Sequence, residues 1–183
     1  LPAEIRVSHL NTRINDQRKK IAQSTATKFE LLQLSQQFSK EARARKKNNQ
    51  KIYVLDFKGD MAASAVENLR EEITLILATA KAGRDRVLLR LESPGGMVHG
   101  YGLAAAQLVR LRDAGFHLTI CVDKVAASGG YMMACIGNEI ISAPFAVLGS
   151  IGVVAQVPNF NRLLKEHNVD FELYTAGQYK RTV

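Results

Sequence analysis

Apolar positions follow two regimes along the chain. Up to Gln50 they are sparse and spaced for a helix: Ile14 and Ile21 lie seven apart, and Leu31, Leu34 and Phe38 recur at three and four. This stretch is polar, Gln-rich and free of glycine, which predicts a helical arm or hairpin with a thin apolar stripe. From Lys51 onward, compact apolar runs alternate with longer ones. Ile52 to Phe57, Arg86 to Glu92 and His117 to Val122 read as strands. A helix is expected from about Ala62 to Lys81, ending near Gly83, and another after Ser93-Pro94-Gly95-Gly96, closed by Gly115. Ala126 to Ile136 reads as a short helix, and Glu139 to Ser142 and Val147 to Val157 as extended. Asn159 to His167 reads as a helix and Val169 to Thr175 as a last strand.

Strands alternating with helices of this length predict βαβ crossovers, hence an α/β fold with a largely parallel sheet preceded by a helical arm. The boundary falls near Lys46 to Lys51, giving an arm over 1–50 and a second domain over 51–183. In open α/β sheets ligands sit at the carboxyl ends of strands. Both glycine turns considered for chemistry follow strands, so fold and site point to the same edge.

Composition narrows the class. With 46% hydrophobic and 23% charged residues, the chain can bury a core. No run approaches the roughly 18 to 20 apolar residues of a membrane helix, and Leu1 to Gln50 lacks the compact apolar region of a secretory signal. The net charge of +8 resides almost wholly in the arm, where eleven Lys/Arg face four Asp/Glu; residues 51–183 carry fourteen against thirteen. Such an arm is either a solvated helix face or a surface for anionic lipid head groups, to which each basic residue adds roughly 1 kcal/mol. Nucleic acid is the weaker partner, because Phe29 and Phe38 alone offer stacking there and no recognition motif is present. Cys121 and Cys135 lie among apolar and small residues and are expected as buried thiols, without metal-ligand spacing.

Two turns carry candidate chemistry. In Ser93-Pro94-Gly95-Gly96 the glycines let the backbone turn sharply and leave its N–H groups open to a carbonyl oxygen, as an oxyanion hole requires. Alone, the motif reads equally as an ordinary strand-to-helix turn. In Ala126-Ala127-Ser128-Gly129-Gly130-Tyr131, small neighbours leave Ser128 uncrowded and Gly129 supplies another donor. Alone, Ser128 reads as a helix N-cap. A serine nucleophile needs a base. His9, His99, His117 and His167 each lack a clear placement beside it. Lys180, in Thr175-Ala176-Gly177-Gln178-Tyr179-Lys180, can serve only if its pKa is drawn from about 10.4 toward 7–8. By composition alone it is a surface lysine.

These pieces together resemble the signal peptide peptidases, serine/lysine peptidases related in fold to Clp protease and the crotonases. The resemblance spans about Lys51 to Val183 through VLDFKGDM, LRLESPGGMVHGYG, DKVAASGGYMMA, APFAVLGSIGVVAQ and TAGQYKR. It implies Clp/crotonase-like ββα repeats around the largely parallel sheet. It also implies Ser128 as nucleophile, Lys180 as general base, and Gly129 with Gly95, or else Gly96, as the oxyanion hole. Ser150 would orient the lysine, though in its own right it reads also as a turn hydroxyl. The implied reaction is peptide hydrolysis through an acyl-serine, without cofactor or metal. Implied further are an extended peptide or protein substrate such as a signal-peptide remnant and a homo-oligomeric ring; on the arm's residues, no nucleic-acid partner is expected. The resemblance places a membrane anchor outside this stretch, the catalytic domain on the periplasmic side of a bacterial inner membrane, and more catalytic domain after Val183. Two rival readings share the fold: a crotonase-like acyl-thioester enzyme, which needs no serine nucleophile, and an inactive membrane-tethered scaffold.

Overall fold

The computed structural model describes residues 5–154 and Glu166, with the backbone alone at 45–48. The chain divides into two units, Leu1–Gly152 and Val153–Val183, and all the helices and strands described in full lie in the first. The expected helix at Asn159 to His167 (Glu166 excepted), the last strand at Val169 to Thr175, and Lys180 lie outside the described residues.

Two helices, α1 (Leu10–Thr25) and α2 (Lys28–Asn48), form the N-terminal hairpin. Thr27 and Glu30 start the second helix with a reciprocal cap: the Thr27 N–H donates to Glu30 Oε2 at 2.7 Å and the Glu30 N–H to Thr27 Oγ1 at 3.4 Å. Across the hairpin the Arg18 guanidinium stacks 4.9 Å above the Phe38 ring and reaches Glu41 at 3.6 Å. Phe38 is buried, while Ile14, Ile21, Phe29 and Leu32 stay exposed. Among the described residues no helix is long and apolar enough to cross a membrane.

The α/β part runs β1 (Ile52–Lys58), α3 (Val66–Thr79), β2 (Arg86–Glu92), α4 (Val98–Asp113), β3 (His117–Val122), β4 (Val125–Ala127), α5 (Gly129–Ala134), β5 (Glu139–Ser142) and β6 (Val147–Gly149). Strands β1, β2, β3 and β5 form one sheet in that order, parallel throughout, while β4 and β6 pair in parallel as a smaller sheet. Alternation decides the faces. Leu55, Leu89 and Ile120 fall in register across three strands and are buried, whereas Asp56, Arg90 and Cys121 form the neighbouring row. That second row is open enough for Arg90 to clasp Asp56 in an exposed two-pronged ion pair. Helix α3 buries Val66, Leu69, Ile73 and Ile76, and α4 buries Tyr101, Ala104, Leu108 and Leu111, each at helical spacing. These side chains meet the strand residues in one core.

Asp85 ties the sheet's entry together. Its buried carboxylate accepts the Lys51 N–H at 3.1 Å and the Lys81 N–H at 3.0 Å, and pairs with both arms of the Arg84 guanidinium at 2.9 Å. The Arg84 hydrogen bonds first, then those backbone donors, hold the carboxyl well below the usual carboxylate range despite burial.

The expected strands over 52–57, 86–92 and 117–122 are present almost residue for residue. The first helix of the α/β part starts at Val66 instead of Ala62. Asp60 accepts hydrogen bonds from the Ser64 N–H and hydroxyl, and Ala63 adopts φ +55°, so the chain turns once before it coils. The thiols are also corrected: Cys135 is exposed and Cys121 only half-buried. Cys135 ends a six-residue helix whose inward positions go to Gly130, Met133 and Ala134.

Candidate active site

Ser93 is the junction from which the site is built. It directly follows β2, and its backbone bonds to β4: the Ser93 N–H donates to Val125 O and the Ala127 N–H to Ser93 O, both at 2.9 Å. This bridge carries the chain's two glycine turns to one place, since β4 leads straight into Ser128. The contact is close. A Cβ built on Gly95 would stand 2.7 Å from both Ala127 O and Ser128 Cβ, and 3.0 Å from Gly129 N. Gly95 also has φ +90°, so only glycine fits there on both counts.

Ser128 joins β4 to α5 with φ +52° and ψ −119°, a backbone state costing a non-glycine residue about 1–3 kcal/mol. Hydrogen bonds on either side hold it: its N–H donates to Gly149 O at 2.8 Å and its carbonyl accepts from the Met132 N–H at 2.9 Å. Ser128 occupies the N-cap position, yet its side chain makes no capping hydrogen bond, so the N-cap reading fails. No hydrogen bond from the described residues holds its Oγ, and the residue is partly exposed. Helix α5 has six residues, too short for much of a dipole; what it offers is the bare N–H of Gly129 in its first turn.

The SPGG turn divides its donors. The Gly95 N–H donates to Ser93 Oγ at 3.0 Å. The Gly96 N–H has no acceptor among the described residues, and the next donor, Met97 N–H, goes to Met61 O at 2.8 Å. A Cβ on Gly96 would fall 2.2 Å from Met61 O; glycine here lets the turn lie against the 59–61 loop.

Beneath both turns lies Tyr101, a residue the sequence did not single out. It is wholly buried, its ring edge-on to Phe57 at 6.3 Å. A Cβ on Gly129 would overlap the ring, 2.4 Å from Tyr101 Cγ. Its hydroxyl donates to Asp60 O at 2.8 Å and lies 2.6 Å from Ser93 Oγ. Burial pushes the phenol above its ordinary range, opposed by the Ser93 hydrogen bond and reinforced by the Asp60 charge, so it remains a neutral hydroxyl.

Ser150 follows Gly149, the residue paired in register with Ala127 and bonded to the Ser128 N–H. It is exposed, with φ +57°. The structure thus brings Ser128, Gly129, Gly95 and Gly96 together and sets Ser150 one residue from the strand contact. Among the histidines, His9 and His99 are exposed and His117 faces Glu139 at 3.9 Å. Among the described residues no group of His, Cys, Asp and Glu is arranged to hold a metal.

Known proteins resemble this sequence. The model described as Peptidase family S49 N-terminal matches residues 2–108, and that described as Peptidase family S49 matches residues 110–183. The chain is 65% identical over 136 residues to the probable protease SohB of Buchnera aphidicola subsp. Schlechtendalia chinensis, covering 74% of this chain and 44% of that protein. It is 66% identical over 132 residues to the probable protease SohB of Haemophilus influenzae, covering 72% and 37%. The chain therefore spans less than half the length of these curated relatives. A ClpP1 mutant from Listeria monocytogenes aligns over 51% of each chain at 11% identity with a TM-score of 0.36.

Proposed function

The chain belongs to peptidase family S49, and from that premise we propose that it is the nucleophile-bearing part of a serine endopeptidase working through Ser128 and Lys180. The observation that carries this reading is Ser128 itself. It is held in a costly backbone state, caps nothing, and lies against the SPGG turn. Strain of this kind clusters at active sites.

In the proposed reaction, Ser128 Oγ attacks the scissile carbonyl carbon while the neutral Lys180 amine takes its proton. The carbonyl oxygen becomes an oxyanion, and the N–H groups of Gly96 and Gly129 are the donors assigned to it. Each is without an acceptor among the described residues. Gly95, whose own N–H is engaged by Ser93, supplies clearance instead of a donor. The tetrahedral intermediate collapses by breaking the C–N bond, and the departing amine receives the proton from Lys180. Water then attacks the acyl-Ser128 ester, passes a proton to Lys180 and releases the new carboxyl terminus, with that proton returning to Ser128. Ser150 orients the lysine in this scheme, supported by its place next to Gly149.

Residues 51–183 form the catalytic portion and 1–50 a basic arm, whose surplus of seven positive charges suits the face of an anionic membrane. The substrates are extended peptides, remnants of signal peptides or other membrane-associated segments, cleaved on the periplasmic side of a bacterial inner membrane by a homo-oligomeric ring. Fluorophosphonate labelling of the full-length protein tests the reading: label on Ser128, absent from Ser128→Ala and Lys180→Ala, supports it. An unlabelled Ser128 in protein that still cleaves peptides rules it out.

A further inference from the structure

We propose that Tyr101 is a positioning residue for the oxyanion hole, acting through Ser93; this rests on the peptidase reading of Ser128. The hydrogen bonds form a chain whose direction can be worked out. The Tyr101 hydroxyl has one proton and gives it to Asp60 O at 2.8 Å. It therefore accepts from Ser93 Oγ at 2.6 Å, and Ser93 Oγ in turn accepts from the Gly95 N–H at 3.0 Å. Every proton has one destination, so the Gly95 peptide is held in one orientation. The Gly95 N–H points inward to Ser93, leaving the Gly96 N–H as the donor of the turn that is without an internal acceptor.

The same residue supports the other donor. The Cβ–Cγ–Cδ1 part of Tyr101 occupies the space where a side chain on Gly129 would go, so the base of the ring packs against Gly129. Gly59 makes room for the polar end: a Cβ there would lie 2.3 Å from both Ser93 Oγ and the Tyr101 hydroxyl. One buried side chain thus sets the height of the Gly129 N–H with its ring and the tilt of the SPGG turn with its hydroxyl. Neither contact requires Tyr101 to touch substrate.

Such a role has a kinetic signature that loss of folding lacks. Removing an oxyanion donor outright lowers kcat about 100- to 1,000-fold, and a donor that is only misaimed is expected to lose about 10-fold. The loss falls on kcat, with KM little changed, because the interaction belongs to the transition state. Tyr101→Phe retains the ring and removes the hydroxyl; Ser93→Ala breaks the chain at its middle. The full-length enzyme and both variants are assayed per active site titrated with fluorophosphonate. Affinities for a peptide boronic acid, which places an oxygen in the hole, and for the product peptide are measured in parallel.

Both variants are expected to lose kcat by about 10-fold and boronate affinity in proportion, with KM and product affinity unchanged. The double variant should fall no further than the worse single one, since both cut one chain. Wild-type kcat per titrated site in either variant, or equal losses of boronate and product affinity, overturns the proposal. A wild-type protein that takes no label on Ser128 removes the peptidase reading itself. A labelled wild type alongside unimpaired variants removes only the role of Tyr101.

Discussion

Gly95 and Ser128 are 33 positions apart in sequence, yet a methyl group added to Gly95 would lie 2.7 Å from the Cβ of Ser128. No real Cβ tolerates that distance, so Gly95→Ala has to push Ser128, the Ala127 carbonyl or both. The φ of +90° adds a backbone cost. We expect Gly95→Ala to lose about 100-fold or more in activity through misplacement of Ser128, and about 1–3 kcal/mol of stability. Gly102→Ala is the contrast, because nothing lies within 4 Å of its Cβ position in α4. It should stabilise by up to about 1 kcal/mol. Urea unfolding of the two variants distinguishes a crowded turn from a generally intolerant helix start.

The strain at Ser128 should be recoverable as stability. Ser128→Gly relieves φ +52° and ψ −119°, at the expense of a more flexible unfolded chain, for a net gain of about 1 kcal/mol. Hydrolysis should vanish in the same variant. A lower unfolding midpoint for Ser128→Gly would show instead that the serine side chain supports the fold.

Asp85 predicts a pH dependence with a definite sign. Its folded pKa is depressed, first by Arg84 and then by the Lys81 and Lys51 N–H groups. Its stabilising contribution is therefore present above the unfolded pKa of about 4 and is lost as pH falls toward the folded value. Asp85→Asn should cost about 1.5–3 kcal/mol at pH 7, and the gap to wild type should narrow below about pH 4. A gap that stays constant down to pH 2.5 would contradict the assignment.

Particular residues show what the sequence made legible. Strands β1, β2 and β3 were readable because each is a compact apolar run in a sheet that buries one face, with Leu55, Leu89 and Ile120 in register. Strand β4 was not, and Ala126 read as the start of a helix. Three small residues carry no periodicity, and their partner β6 lies about twenty positions on. Ser128 stood out through its small neighbours. That the Gly95 N–H is engaged while the Gly96 N–H has no acceptor among the described residues did not, because it depends on Ser93 turning its hydroxyl back onto the Gly95 N–H. Tyr101 did not stand out in the helix expected after the SPGG turn; its hydroxyl finds its partners only where the 59–61 loop and the end of β2 meet above it.

Where the acyl group resides during turnover tests the central claim most directly. Full-length protein is mixed with a slowly deacylating peptide ester, quenched in acid, and its peptides are mapped by mass spectrometry. An acyl adduct on the peptide containing Ser128, missing in Ser128→Ala, is the predicted result. Turnover with the acyl group on another residue, or with no covalent adduct even when deacylation is slowed, would contradict a Ser128 nucleophile.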